Sequence, residues 1–170
     1  MSIVLIGYRG SGKTTVGRRL ADQMWLPFLD SDELIVKRAG KSIKDIFAEG
    51  GEAEFRDIES AVVQDVCAMN DHVISLGGGA ILREENRQAI RSNNNRVVYL
   101  RCEAEVLYQR INADPTTTAS RPNLTAAGGV DEVKQLLVIR EPLYRQAMTA
   151  ELDVTNLSAQ EAVQRVVRLI

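Results

Sequence analysis

The chain has 170 residues, 45% hydrophobic and 26% charged, with a formal net charge of −2 at pH 7. That length suits one domain, residues 1–170, with a full-sized core, and the charge balance excludes a general attraction to nucleic acid or to an anionic membrane. Two cysteines, Cys67 and Cys102, and one histidine, His72, exclude a disulfide framework, a histidine triad and any recognisable metal-ligand spacing.

The opening "MSIVLIG" has no basic stretch before its apolar run, and the run is too short for a secretion signal or a membrane span. A cytoplasmic protein is expected, with both thiols buried and reduced. Ile3 to Ile6 reads as a strand. The next eight residues are Gly7-Tyr8-Arg9-Gly10-Ser11-Gly12-Lys13-Thr14. A helix is expected over Thr14 to Met24, where Val16, Leu20 and Met24 share a face. Phe28-Leu29 is a second strand and ends on Asp30-Ser31-Asp32. Two helical pieces, joined through "AEGGE", are expected between residues 31 and 69. The second, Glu52 to Met69, aligns Phe55, Ile58, Val62, Val66 and Met69 in one stripe.

Val73 to Leu76 is a third strand, entered from His72 at a loop or strand edge and followed by Gly77-Gly78-Gly79. Val97 to Leu100 is a fourth, and Leu152 to Val154 a fifth. Residues 111 to 129 are polar and threonine-rich, and a connection of that length fits a lid. In "IREPLYR", Glu141-Pro142 is expected to interrupt a helix. The last helix opens on Ser158 with Glu161 three residues on, a capping box. Apolar strands without alternation, separated by helices, indicate an α/β fold: a parallel sheet with helices on both faces.

Gly7 to Thr14 fits the phosphate-loop spacing, between a buried strand and a helix. Glycines let backbone N–H groups face phosphates, the helix N-terminus adds positive potential, Lys13 reaches the β- and γ-phosphates, and the Thr14 hydroxyl can ligate Mg²⁺. A dinucleotide loop would need glycine where Thr15 stands. At the ligand-facing end of the second strand, Asp30 can hold a water of the Mg²⁺ shell and Asp32 can accept a hydroxyl proton. Ser31 or Asp32 can equally cap a helix starting at Glu33. The triple glycine permits a ligand to approach backbone amides closely. Arg56, Arg110, Arg121 and Arg140 carry no signal individually, and Arg56 can simply pair with Glu52 four residues earlier.

Taken together, "GSGKTT", "DSD", "SIKDIFAEGGEAEFRDIE", "SLGGGA", "RP" and "REPLYR" resemble the shikimate kinases, nearly end to end. The resemblance implies a three-layer α/β/α P-loop fold with a five-stranded parallel sheet in the order 2-3-1-4-5. It implies a substrate-binding segment over residues 31–60 and a lid over 111–126. It also implies transfer of the γ-phosphoryl of ATP, with Mg²⁺, to the 3-hydroxyl of shikimate, by an enzyme expected to be a monomer with only small-molecule partners.

Lys13, Asp32 and the lid arginine Arg121 match the catalytic positions. Gly10, Ser11, Gly12, Lys13, Thr14, Thr15, Arg110 and Arg121 match the nucleotide contacts, with Arg110 near the adenine. Asp32, Arg56, Gly77, Gly78, Gly79 and Arg140 match the shikimate contacts, the two arginines gripping its carboxylate. Thr14, and Asp30 through water, match the Mg²⁺ site. Gluconate kinases share the phosphate loop but are similar in neither "GEAEFR" nor "LGGGA". A guanine-nucleotide switch would need an Asn-Lys-x-Asp that the chain lacks, and a non-catalytic homologue would not be expected to keep Lys13, Asp32 and Arg140.

Overall fold

A computed structural model describes residues 1–113 and 129–170. Five strands, β1 (Ile3–Ile6), β2 (Phe28–Asp30), β3 (Val73–Ser75), β4 (Arg96–Arg101) and β5 (Ala150–Asp153), form one sheet. All neighbouring pairs are parallel and the order is β2-β3-β1-β4-β5. The helices are α1 (Lys13–Met24), α2 (Ser31–Ala39), α3 (Ile43–Cys67), α4 (Glu84–Arg91), α5 (Ala104–Ala113), α6 (Gly129–Ala147) and α7 (Ala159–Leu169).

Alternation along the central strands divides the core in two. Ile3 and Leu5 of β1 pack with Val16 and Leu20 of α1, Leu107 of α5 and Val163 of α7. Val4 and Ile6 pack on the other face with Ile35 of α2, Val62 and Val66 of α3, and Ile90 of α4. Both faces are therefore apolar, which is why β1 reads as an unbroken hydrophobic run. The edge strands β2 and β5 are less buried, because each is covered on fewer sides. Helix α6 contributes to both cores, through Val133 and Leu137 to one and Tyr144 and Ala147 to the other.

Three helical details depart from the sequence reading. The segment between β2 and β3 has three helical pieces, because Gly40 (φ 67°) ends α2 and Gly51 (φ 73°) kinks α3. Met69 lies beyond α3 and is exposed; Glu59 and Cys67 are among the buried residues instead. Pro142 does not interrupt α6, which continues to Ala147; losing one backbone donor removes a single helical hydrogen bond, and the burial of Tyr144 and Ala147 holds the last turn.

Ser158 and Glu161 form the expected reciprocal capping box. His72 stands at the start of β3, where its carbonyl accepts from Ile3 N–H. Both cysteines are buried, and burial pushes the Cys67 thiol up to about 12. No helix among the described residues is long and apolar enough to cross a membrane. The expected lid, including Arg121, falls mainly on residues 114–128, outside those described.

Candidate active site

The carboxyl ends of β1, β2 and β3 meet at the start of α1. Gly12 caps that helix with φ 91°, a left-handed conformation that glycine adopts without cost. No side chain caps the helix there, so its first N–H groups and positive end remain available to an anion. Lys13 is almost buried, and its Nζ donates to the carbonyls of Gly7 (2.8 Å) and Tyr8 (2.9 Å). The Thr14 hydroxyl donates to Asp30 Oδ2 at 2.8 Å and lies 3.5 Å from Ser75 Oγ. Three oxygens from β2, β3 and α1 thus converge beside the phosphate loop.

Asp30, rather than Ser31 or Asp32, caps α2: its Oδ1 accepts from the Asp32 N–H at 3.0 Å, and the helix starts two residues earlier than Glu33. Ser31 instead accepts from the Gly77 N–H at 2.8 Å, tying β2's end to the glycine turn. Asp32 therefore lies one residue inside α2, and it lines a cavity of about 530 Å³. Every residue from Gly10 to Thr15 lines the same cavity, as do Gly77 and Gly78. Arg110, Ile111, Val154 and Leu157 supply its wall on the β4–β5 side, and Arg110 Nη2 donates to the Val154 carbonyl at 3.2 Å.

The triple glycine is closely packed at each position. A Cβ at Gly77 would stand 2.9 Å from Asp32 Oδ1, and one at Gly78 only 3.1 Å from the Arg9 backbone nitrogen. A Cβ at Gly79 would collide with the Arg56 guanidinium. Arg56 pairs with Glu52, as the spacing suggested (3.3 Å), and more closely with Glu59 (2.5 Å). Arg140 on α6 is 7% exposed, and its guanidinium lies 5.4 Å from the centre of the Tyr8 ring. One turn on, the Tyr144 hydroxyl donates to the Gly78 carbonyl at 2.6 Å. Burial raises both phenols above their usual range, against the charge of Arg140, so both rings stay neutral.

The structure thus gathers Lys13, Thr14, Asp30, Asp32, Gly77 and Gly78 around one crevice, whereas Gly79 and Arg56 lie against each other outside its lining. Arg140 is not in that lining but packs on Tyr8, next to the loop, and Arg110 lies on the β4–β5 wall. Sequence reading missed Ser75, Glu59 and Tyr144, and it offered Ser31 only as a cap, not as the acceptor for the Gly77 N–H. Glu59 had a signal: it is a carboxylate four residues after Phe55, on the helix face that enters the core. It is 1% exposed, and removing one partner of so buried a pair leaves the other charge poorly compensated. Glu59→Ala is expected to lower unfolding free energy by roughly 3 kcal/mol, measured by urea denaturation; a loss below about 1 kcal/mol would show that Arg56 is satisfied by Glu52 alone.

Comparison with known proteins agrees with this fold. The shikimate kinase family profile matches residues 9–170. A shikimate kinase of Rhodopirellula baltica is 42% identical over 166 residues, 98% of this chain and 88% of that protein. The shikimate kinase of Acinetobacter baumannii, solved in complex with shikimate, superimposes with a TM-score of 0.91 at 35% identity, covering 99% of this chain and 91% of that one. A gluconokinase of Sinorhizobium meliloti, 20% identical with a TM-score of 0.63 over 98% of this chain and 89% of its own, shares the fold alone. With the family profile spanning nearly the whole chain and these identities sustained end to end, the protein belongs to the shikimate kinase family.

Proposed function

We propose that this chain transfers the γ-phosphoryl of ATP to the 3-hydroxyl of shikimate, giving shikimate 3-phosphate and ADP. The observation that carries the proposal is the position of Asp32: its carboxylate stands against Gly77, on the wall shared by the phosphate loop and the arginine-flanked glycine turn. A carboxylate there can orient an acceptor hydroxyl towards a phosphate held by Gly10 to Thr15.

The α1 N-terminus and Lys13 take the triphosphate, Lys13 exchanging its carbonyl partners for phosphate oxygens. Arg56 and Arg140 grip the acceptor's carboxylate; a guanidinium suits that planar anion because it donates two parallel N–H bonds. The backbone at Gly78 approaches the acceptor, since no side chain intervenes. Arg110 borders the adenine. Arg121, in the part of the chain matched by the "RP" motif, brings further positive charge to the phosphates. Phosphoryl transfer needs mainly positioning and neutralisation of the oxygens that gain charge, and these groups supply both.

The chemistry of the donor set also fits Mg²⁺. Thr14, Asp30 and Ser75 offer hard oxygen atoms within one hydrogen-bonded cluster, whereas the described residues contain no group of three His, Cys, Asp or Glu side chains able to hold a metal by themselves. A cation would therefore enter with the nucleotide, ligated by the Thr14 hydroxyl and by Asp30 through water. Held there, Mg²⁺ would supply positive charge against the phosphates.

With Mg-ATP, purified protein is expected to release ADP in a coupled assay with shikimate, and not with gluconate or nucleoside monophosphates. Turnover on gluconate without turnover on shikimate would reject the proposal. Asp32→Asn is expected to lower kcat by about 100-fold or more; an unchanged kcat would reduce Asp32 to a residue of the α2 first turn.

A further inference from the structure

Tyr8 occupies a position of the phosphate loop that the loop's own chemistry leaves open: neither backbone donation to phosphates nor the lysine and threonine functions require an aromatic side chain there. Yet Tyr8 is 4% exposed and packs in the core formed with Leu107 and Val133. Its ring carries the guanidinium of Arg140, 5.4 Å from the centroid. Arg140 is itself buried at 7% exposure, and its one-turn neighbour Tyr144 is anchored to the Gly78 carbonyl.

We propose that Tyr8 is a positioning residue for the acceptor's carboxylate: its ring is the platform that fixes the direction of Arg140. The proposal rests on the assignment of Arg140 to the acceptor site made above. A buried guanidinium loses much of its hydration, and the negative face of a neutral aromatic ring offsets part of that loss without consuming an N–H donor. A carboxylate partner in the same place would do the opposite, occupying the donors that the substrate needs. Arg56 shows that second arrangement in part: Glu52 accepts from Nε and Nη2 and Glu59 from Nη1, which leaves a second N–H on each terminal nitrogen for the acceptor. The two arginines are thus held differently: Arg56 by carboxylates, Arg140 over a ring.

The Tyr8 hydroxyl is not needed for this function, but the ring is. Burial keeps the phenol neutral against the charges of Arg140 and Arg9, so the ring acts through its face and not as a phenolate. Tyr8 precedes the residues Gly10 to Thr15 that take the phosphates, so one loop carries both the nucleotide contacts and the platform for a group that reads the acceptor.

The test compares Tyr8→Phe, Tyr8→Leu and Tyr8→Met. Wild-type protein must first show saturable turnover with shikimate; if it shows none, the assignment of Arg140 fails, and this inference with it. Given turnover, Tyr8→Phe is expected to keep the wild-type KM for shikimate. Tyr8→Leu is expected to raise that KM about five- to thirty-fold, the size of a partly desolvated cation–π contact, with kcat and the KM for ATP within about twofold of wild type. Tyr8→Met fills similar volume without a ring; it is expected to behave as Leu does, and it replaces Leu if that variant does not fold. In an Arg140→Lys background, Tyr8→Leu or Tyr8→Met should add little further increase. An unchanged KM for shikimate in both ringless variants would overturn the proposal. So would equal losses for shikimate and ATP, or full additivity with Arg140→Lys, either of which would indicate packing alone.

Discussion

The site depends on one close approach between two stretches of backbone. The phosphate loop leaving β1 and the glycine turn leaving β3 lie side by side, because β1 and β3 are neighbours in the sheet. At Gly78 the contact is near its steric limit: a Cβ would be 3.1 Å from the Arg9 nitrogen and 3.4 Å from the Gly7 carbonyl oxygen. In the function proposed above, this contact gives the nucleotide and the acceptor a common wall. Ser31, Tyr144 and the capping oxygen of Asp30 then fix the surroundings of that wall through short hydrogen bonds. A phosphate and a hydroxyl bound on its two sides are brought together by binding alone, which is the larger part of what phosphoryl transfer asks of a protein.

Charge is arranged on the same local scale. A chain of net charge −2 places Lys13, Arg56 and Arg140 beside the phosphate loop and the glycine turn and compensates each one in place. Lys13 is held by carbonyl oxygens, Arg56 by two glutamates and Arg140 above a tyrosine ring. None of these arrangements requires the surface as a whole to be basic. Cations already aimed before the ligands arrive have less to reorganise on binding, the condition under which electrostatic stabilisation is most effective.

Much of this was legible in the sequence because it is local or periodic. The strand runs, the phosphate loop, the capping box at Ser158 and the helix face through Phe55 and Val62 each follow from spacing within a few residues. The arginines became meaningful only through resemblance to a family, since nothing within the chain separates Arg140 from a solvated arginine. Glu59 and Ser75 escaped notice, and Ser31 was legible only as a possible cap, because their roles depend on contacts between elements distant in sequence: Ser31 meets Gly77, and Ser75 meets Thr14. The misreading at Pro142 has the same origin. Local propensity argued for a break, while tertiary packing of Tyr144 and Ala147 keeps the helix whole. Tyr8 was opaque for the same reason, since its partner Arg140 lies 132 positions away, on α6.

The shared wall is tested most directly by Gly78→Ala, with ADP and shikimate each titrated alone by calorimetry. The added methyl must displace the phosphate-loop backbone or the glycine turn, an overpacking cost that typically reaches 1–3 kcal/mol. Both ligands are therefore expected to bind about tenfold more weakly, in a protein that still unfolds cooperatively. If either ligand kept wild-type affinity, the two half-sites would not share that wall.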